Sequence, residues 1–144
     1  MRSYQVERPE SAFSSFPSRQ RRPRRRAGQH LKWIRTLPCA VCGSSRDIHA
    51  AHIRAASLQF GKMAIGLAEK PDDCWTTPLC GEHHLFGEAA QHQGRELDFW
   101  RRHDINPFAL ALALWRASGE DAIGHLILDE FRRRASPPEK PASA

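Results

Sequence analysis

Two short pairs of metal-binding side chains constrain this chain more than any other feature. Cys39-x-x-Cys42 lies between Pro38 and Gly43, and Cys80-x-x-His83 follows after 37 intervening residues. Each pair places two soft or borderline donors one tight turn apart. Two such pairs complete the tetrahedron of a closed structural zinc site. The spacing therefore predicts a staple of Cys39, Cys42, Cys80 and His83, with Zn²⁺ as its ion. A rival set of Cys39, Cys42, His49 and His52 would imitate a C2H2 finger. Only six residues separate Cys42 from His49, where such a finger needs about 12, so this set fails on length. Cys74 is left over as a spare thiol.

A staple suits a chain of this size. Its 144 residues allow one modest domain with tails, and cores that small commonly lean on metal or disulfides. No apolar stretch approaches the roughly 20 residues that span a bilayer, and the first residues lack the apolar core of a signal peptide. The expected compartment is the cytoplasm of a bacterial host cell, with no membrane partner. Thiols stay reduced there, which favours metal over disulfides.

Net charge is +6, and its distribution is informative. The run RQRRPRRR contributes Arg19, Arg21, Arg22, Arg24, Arg25 and Arg26; without these six, basic and acidic residues balance at 16 each. A concentrated arginine run attracts polyanions, with nucleic acid the commonest partner, and guanidinium pairs with phosphate bidentately. These six arginines are the expected nucleic-acid contacts.

Composition divides the chain. Residues 1–27, rich in Ser, Pro and Arg, read as a disordered basic tail, and 136–144 as a second one. Between them, Leu31, Ile34 and Leu37 predict a helix over 29–37 that ends at Pro38. Residues 47–53 suit a strand, 54–74 a long loop, and Trp75 to Leu79 a second strand, with Pro78 at an edge or end. A helix is expected to start near Gly81, and another over 94–103. Asn106-Pro107 is a cap followed by a first-turn proline, opening a helix to about Ser118 that Gly119 stops. Glu120 to Arg134 carries a further amphipathic pattern. The fold class is α+β: a small β element followed by helices.

Four histidines remain near the staple in sequence: His49, His52, His84 and His92. A histidine can deprotonate water near neutral pH. Others can hold an open-sided metal that stabilises charge on a phosphate. Any one of them alone would be an ordinary surface or hydrogen-bonded histidine; four together favour catalysis.

The order PCAVCG (38–43), AAHIR (50–54), KPDDCWTTPLC (70–80), HH (83–84) and QHQGRELDFW (91–100) resembles phage and prophage HNH (ββα-metal) endonucleases of the YbcO and RecA-dependent Ref type. The resemblance covers about 33–118. It implies a zinc-stapled ββα-metal core over 28–118, with the helix at 119–135 outside it. It further implies a metal-dependent DNA endonuclease acting in phage recombination or DNA processing, with a RecA-like recombinase filament as a partner. His52 falls on the general-base position. His84 and His92 fall on ligands of a catalytic Mg²⁺ or Mn²⁺, with His49 a further candidate. Three departures stand out. The stretch FGEAAQ between His84 and His92 is longer than one helical turn, so both reach one metal only through a bend near Gly87. Ala51 occupies a position where the family often has a metal-binding Asp or His, and the middle Asn of the family's name has no clear counterpart. Asp73 or Thr77 would then orient His52, with Asp73 the candidate carried forward. Arg54 is a candidate phosphate contact. The alternative reading is a non-catalytic zinc-binding protein that assists DNA binding or recombination; a third is a protein-interaction module docking through the helices of 106–134.

Overall fold

The computed structural model describes residues 23–136. It has an α+β architecture: a two-stranded sheet and four α-helices around one main core. Helix α1 spans Gly28–Ile34 and ends earlier than the apolar pattern suggests. Pro38 disfavours helical backbone in the residue before it. The Thr36 hydroxyl donates to the Trp33 carbonyl, and the Leu37 amide donates to Ile34. The chain therefore tightens into a turn that still buries Leu37.

Strand β1 (Ile48–His52) pairs antiparallel with β2 (Thr76–Cys80), with Ile48 opposite Cys80 and His52 opposite Thr76. β1 starts one residue later than expected because Asp47 adopts a φ of 49°, a left-handed conformation open to Asp but incompatible with a strand. Pro78 lies opposite Ala50 in the middle of β2. A two-stranded sheet has only edges, so the missing N–H is tolerated. The Pro78 carbonyl faces outward and accepts the Ala40 amide at 2.8 Å. That bond ties the Cys39–Cys42 turn to the hairpin.

The helix expected after Gly81 is a single π-helical turn, Glu82–Phe86. It stops at Gly87, whose ψ of 150° is extended, and a 3₁₀ turn follows at Gln91–Gln93. Helix α2 (Glu96–Arg102) buries Phe99 and Trp100. Helix α3 (Pro107–Arg116) opens as its sequence dictates: the Asn106 side chain accepts the Phe108 and Ala109 amides, both at 3.0 Å. Gly119, at a φ of 88°, reverses the chain into α4 (Asp121–Ala135).

Trp33, Ile34, Leu37, Leu79, Trp100, Leu114 and Leu128 share the main core, so α1, β2, α2, α3 and α4 all close on it. A second cluster gathers Ile53, Cys74, Trp75, Phe108 and Ala111 beside it. α4 thus packs into the same core as the residues before 118. The Trp33 indole N–H donates to Asp121 at 2.8 Å, and Gly124 lets α4 approach the Trp33 ring. A Cβ at Gly124 would lie 2.7 Å from that ring. Among the described residues, no helix is long and apolar enough to cross a membrane.

Candidate functional site

The predicted staple residues converge. One ligand atom from each of Cys39, Cys42, Cys80 and His83 lies within 4.8 Å of all the others. Cys42 Sγ is 3.8 Å from Cys80 Sγ, and His83 Nδ1 is 3.8 Å from Cys39 Sγ and 3.1 Å from Cys80 Sγ. A disulfide needs about 2.05 Å. A tetrahedron with metal–sulfur bonds of about 2.3 Å has sulfur–sulfur edges near 3.8 Å. The donor set therefore fits a four-coordinate structural metal. The local fold explains the convergence. Gly43, at a φ of 73°, turns the chain after Cys42 and donates to the Cys39 carbonyl. Arg132 of α4 donates to the same carbonyl at 2.8 Å. β2 delivers Cys80, and the π turn returns His83 to it. Cys74 is buried in the second apolar cluster, away from the quartet.

A second centre forms at the far end of the hairpin. His52 Nε2 lies 2.9 Å from Asp73 Oδ1. Asp73 is 2% exposed, and its carboxylate also accepts the Ala27 amide and the Arg24 guanidinium. Burial pushes its pKa up, but the Ala27 amide, His52 and Arg24 together outweigh that and hold it below the usual carboxylate value. An ionised Asp73 accepts only, so His52 carries its proton on Nε2 and keeps a lone pair on Nδ1. Arg24 Nη2 also lies 3.5 Å from His52 Nε2; two donors here converge on one carboxylate oxygen. Burial, the largest influence, lowers the His52 pKa below the ordinary imidazole value, although Asp73 opposes it.

Three further histidines line up. His49 Nε2 is 3.0 Å from Asp47 Oδ1, His49 Nδ1 is 2.9 Å from His84 Nδ1, and His84 Nε2 is 3.2 Å from His92 Nε2. The bend at Gly87 brings His92 back to His84. His84 turns opposite ring nitrogens to its two neighbours, so the three do not converge on one point. With His49 donating to Asp47, His49 Nδ1 accepts from His84, and the His84 Nε2 lone pair faces His92. The 3.2 Å between His84 and His92 fits a hydrogen bond and equally the edge between two ligands that could hold one cation, and His49 orients His84. Burial, and then His92, His49 and His52, push the His84 pKa down to about 4. A neutral imidazole is the form that binds metal. Ala51 is fully buried in the main core and leaves no room for a ligand there.

Several expectations need correction. The tail boundary at 27 is too late: residues 23–27 are docked. Arg24 Nε donates to the Pro71 carbonyl, the Arg25 amide to Asp72, and the Asp73 amide to the Arg25 carbonyl. Arg24 is consequently ion-paired with Asp73, and the Arg25 guanidinium lies 5.9 Å from the Trp115 ring centre. Arg26 is exposed. Arg19, Arg21 and Arg22 lie outside the described residues, as does most of the expected 136–144 tail. Arg54 does not reach outward as a phosphate contact. It donates to the carbonyls of Gly66, Leu67 and Glu69 and so shapes the 54–74 loop.

Sequence reasoning passed over Asp47, Gln91 and Glu96. Glu96 accepts the Arg54 and Ala55 amides and the Gln91 side chain, while Gln91 donates to the His52 carbonyl at 3.3 Å. Together they fix the end of β1 at His52. Gln91 and Glu96 lie inside the QHQGRELDFW block, the one available signal.

Comparison with known proteins places the chain in a family. The chain is 33% identical over 78 residues, 54% of its length, to the uncharacterized protein YdfU of Escherichia coli (strain K12), and that stretch covers 19% of the relative. The chain thus spans about a fifth of the length of the curated relative it matches. No solved structure matches it. Residues 4–103, which include the metal quartet, the hairpin and all the histidines described above, match one family. The chain belongs to that family, the one described as protein of unknown function DUF968.

Proposed function

We propose that this chain is a metal-dependent DNA endonuclease of the HNH (ββα-metal) type, acting in phage recombination or DNA processing. The observation that carries this reading is the His52–Asp73 pair at the end of a metal-stapled hairpin. The π turn takes the place of the helix that follows the hairpin in that family. Zn²⁺ is the staple ion, chosen by three thiolates and an imidazole.

His52 Nδ1 takes a proton from water, and the hydroxide attacks phosphorus, displacing the 3′ oxygen. Asp73 keeps the proton on Nε2, which holds the imidazole in its basic tautomer and stabilises the imidazolium that forms. A Mg²⁺ or Mn²⁺ ion held by His84 and His92 would stabilise the developing charge on the phosphate and the leaving oxygen. His49 and Asp47 keep the His84 Nε2 lone pair directed at that position.

A second reading, a non-catalytic zinc-binding DNA or recombination accessory protein, draws on buried Ala51 and on the missing middle Asn. Incubating the protein with single-stranded, duplex and branched DNA, with Mg²⁺ or Mn²⁺ and with or without a recombinase filament, separates the two. Cleavage on any substrate supports the endonuclease. One bound zinc with no cleavage in any arm supports the accessory protein.

A further inference from the structure

A cleft of about 690 Å³ opens between residues 23–24 and the loop of residues 61–72, and Arg24 on its wall reaches to 3.5 Å from His52. Its volume is within the range of small-ligand sites, about 300–1,000 Å³. Pro23, Met63, Ile65 and Trp75 give it apolar walls, and Arg24 and Lys70 give it positive charge. Two carboxylates also line it, each bound by a backbone amide: Asp72 accepts the Arg25 amide and Glu69 the Gly66 amide. Arg24 is held along one edge by Pro71 and Asp73. Its side chain keeps 27% exposure, and Nη1 has no hydrogen-bond partner among the described residues. That arrangement presents a fixed guanidinium to an incoming anion on the Nε2 side of His52, 3.5 Å from that nitrogen.

We propose that this cleft receives one unpaired nucleotide of the DNA strand, with Arg24 holding its phosphate next to His52. The proposal rests on the nuclease reading for its substrate, but binding alone tests it. An apolar pocket with a basic rim suits a base stacked inside and a phosphate at the mouth. A base inside a duplex is stacked and paired, so only an unpaired base can enter the cleft. Lys62 is not part of the phosphate grip: its ammonium is buried and donates to the Arg54 carbonyl at 3.3 Å.

The test is fluorescence anisotropy of a short fluorescein-labelled single-stranded oligodeoxynucleotide, without added divalent cation, on the full chain with its staple metal. Arg24→Ala is expected to weaken binding about tenfold and to lower the slope of log affinity against log salt by about 0.7. Arg24→Lys should restore part of both. Ala64→Trp, at an exposed position lining the cleft, should weaken the single strand and leave the matching duplex unchanged. Affinity and salt slope unchanged in Arg24→Ala would overturn the proposal, as would weaker binding with an unchanged slope, the signature of mere loosening. Equal loss on single strand and duplex in Ala64→Trp would remove the unpaired nucleotide. An absence of cleavage by wild type would sink the nuclease reading and leave these binding results standing; His52-dependent cleavage with unaltered binding would sink the cleft alone.

Discussion

Asp73 and His52 stand 21 positions apart in sequence and meet at 2.9 Å, carboxylate to imidazole. A buried carboxylate on one imidazole nitrogen leaves the other nitrogen basic. Asp73→Asn removes the group that raises the His52 pKa. The variant should lose about 10- to 100-fold in DNA cleavage rate, taking the weakening of a general base as the guide. The acid limb of its pH–rate profile should also move to lower pH. The wild-type limb falls below the ordinary imidazole value, because burial lowers His52 overall. A pH–rate series on both proteins checks the direction of the shift.

The staple should be worth most of the fold. Metal analysis is expected to find one zinc per chain. Cys80→Ser, at a buried ligand on β2, should lose the ion and the cooperative thermal transition. A strong chelator should do the same to wild type, since the binding energy of a structural zinc is folding energy. Cys74→Ser should keep the zinc.

Gly124 separates two opposing effects. Alanine in mid-helix is favoured over glycine by about 1 kcal/mol. The added Cβ would press on Trp33 at 2.7 Å, and overpacking costs about 1–3 kcal/mol. Trp33 is fixed by Asp121 and cannot easily yield. Gly124→Ala should therefore destabilise the protein in urea unfolding, whereas the same change in a loosely packed helix would stabilise it.

His30 links stability to pH. It is buried against Trp33 and Trp115, and its Nδ1 meets the Ser118 hydroxyl at 2.8 Å. Burial lowers its pKa from 6.5 to about 4. The unfolded chain therefore binds the proton first. Stability is full above pH 6.5 and falls as pH drops toward 4, by up to about 3 kcal/mol. Unfolding of wild type and His30→Phe at several pH values should show a shallower acid loss in the variant.

The parts of the molecule that could be read in sequence are those with local signals. The two x-x pairs announce the metal quartet because ligand spacing is set within one turn. Asn106-Pro107 opens α3 for a similar reason: the cap is two and three residues from the amides it binds. Boundaries failed where a distant partner decides. Arg24 and Ala27 look like tail until Asp73, on the other side of a long loop, accepts their N–H groups. Asp47 reads as a strand residue until its left-handed turn and its bond to His49 are seen. Arg54 reads as a phosphate contact, yet three carbonyls of its own loop consume it. No periodicity encodes contacts of that kind.

The proposed role of His52 as the base of a DNA-cleaving centre is checked by comparing cleavage by wild type and His52→Ala, matched in zinc content and melting temperature, on the best-cut DNA with Mn²⁺ or Mg²⁺. His52→Ala should be slower by about 10²- to 10⁴-fold with its zinc retained; equal cutting by the two proteins would remove His52 as the base.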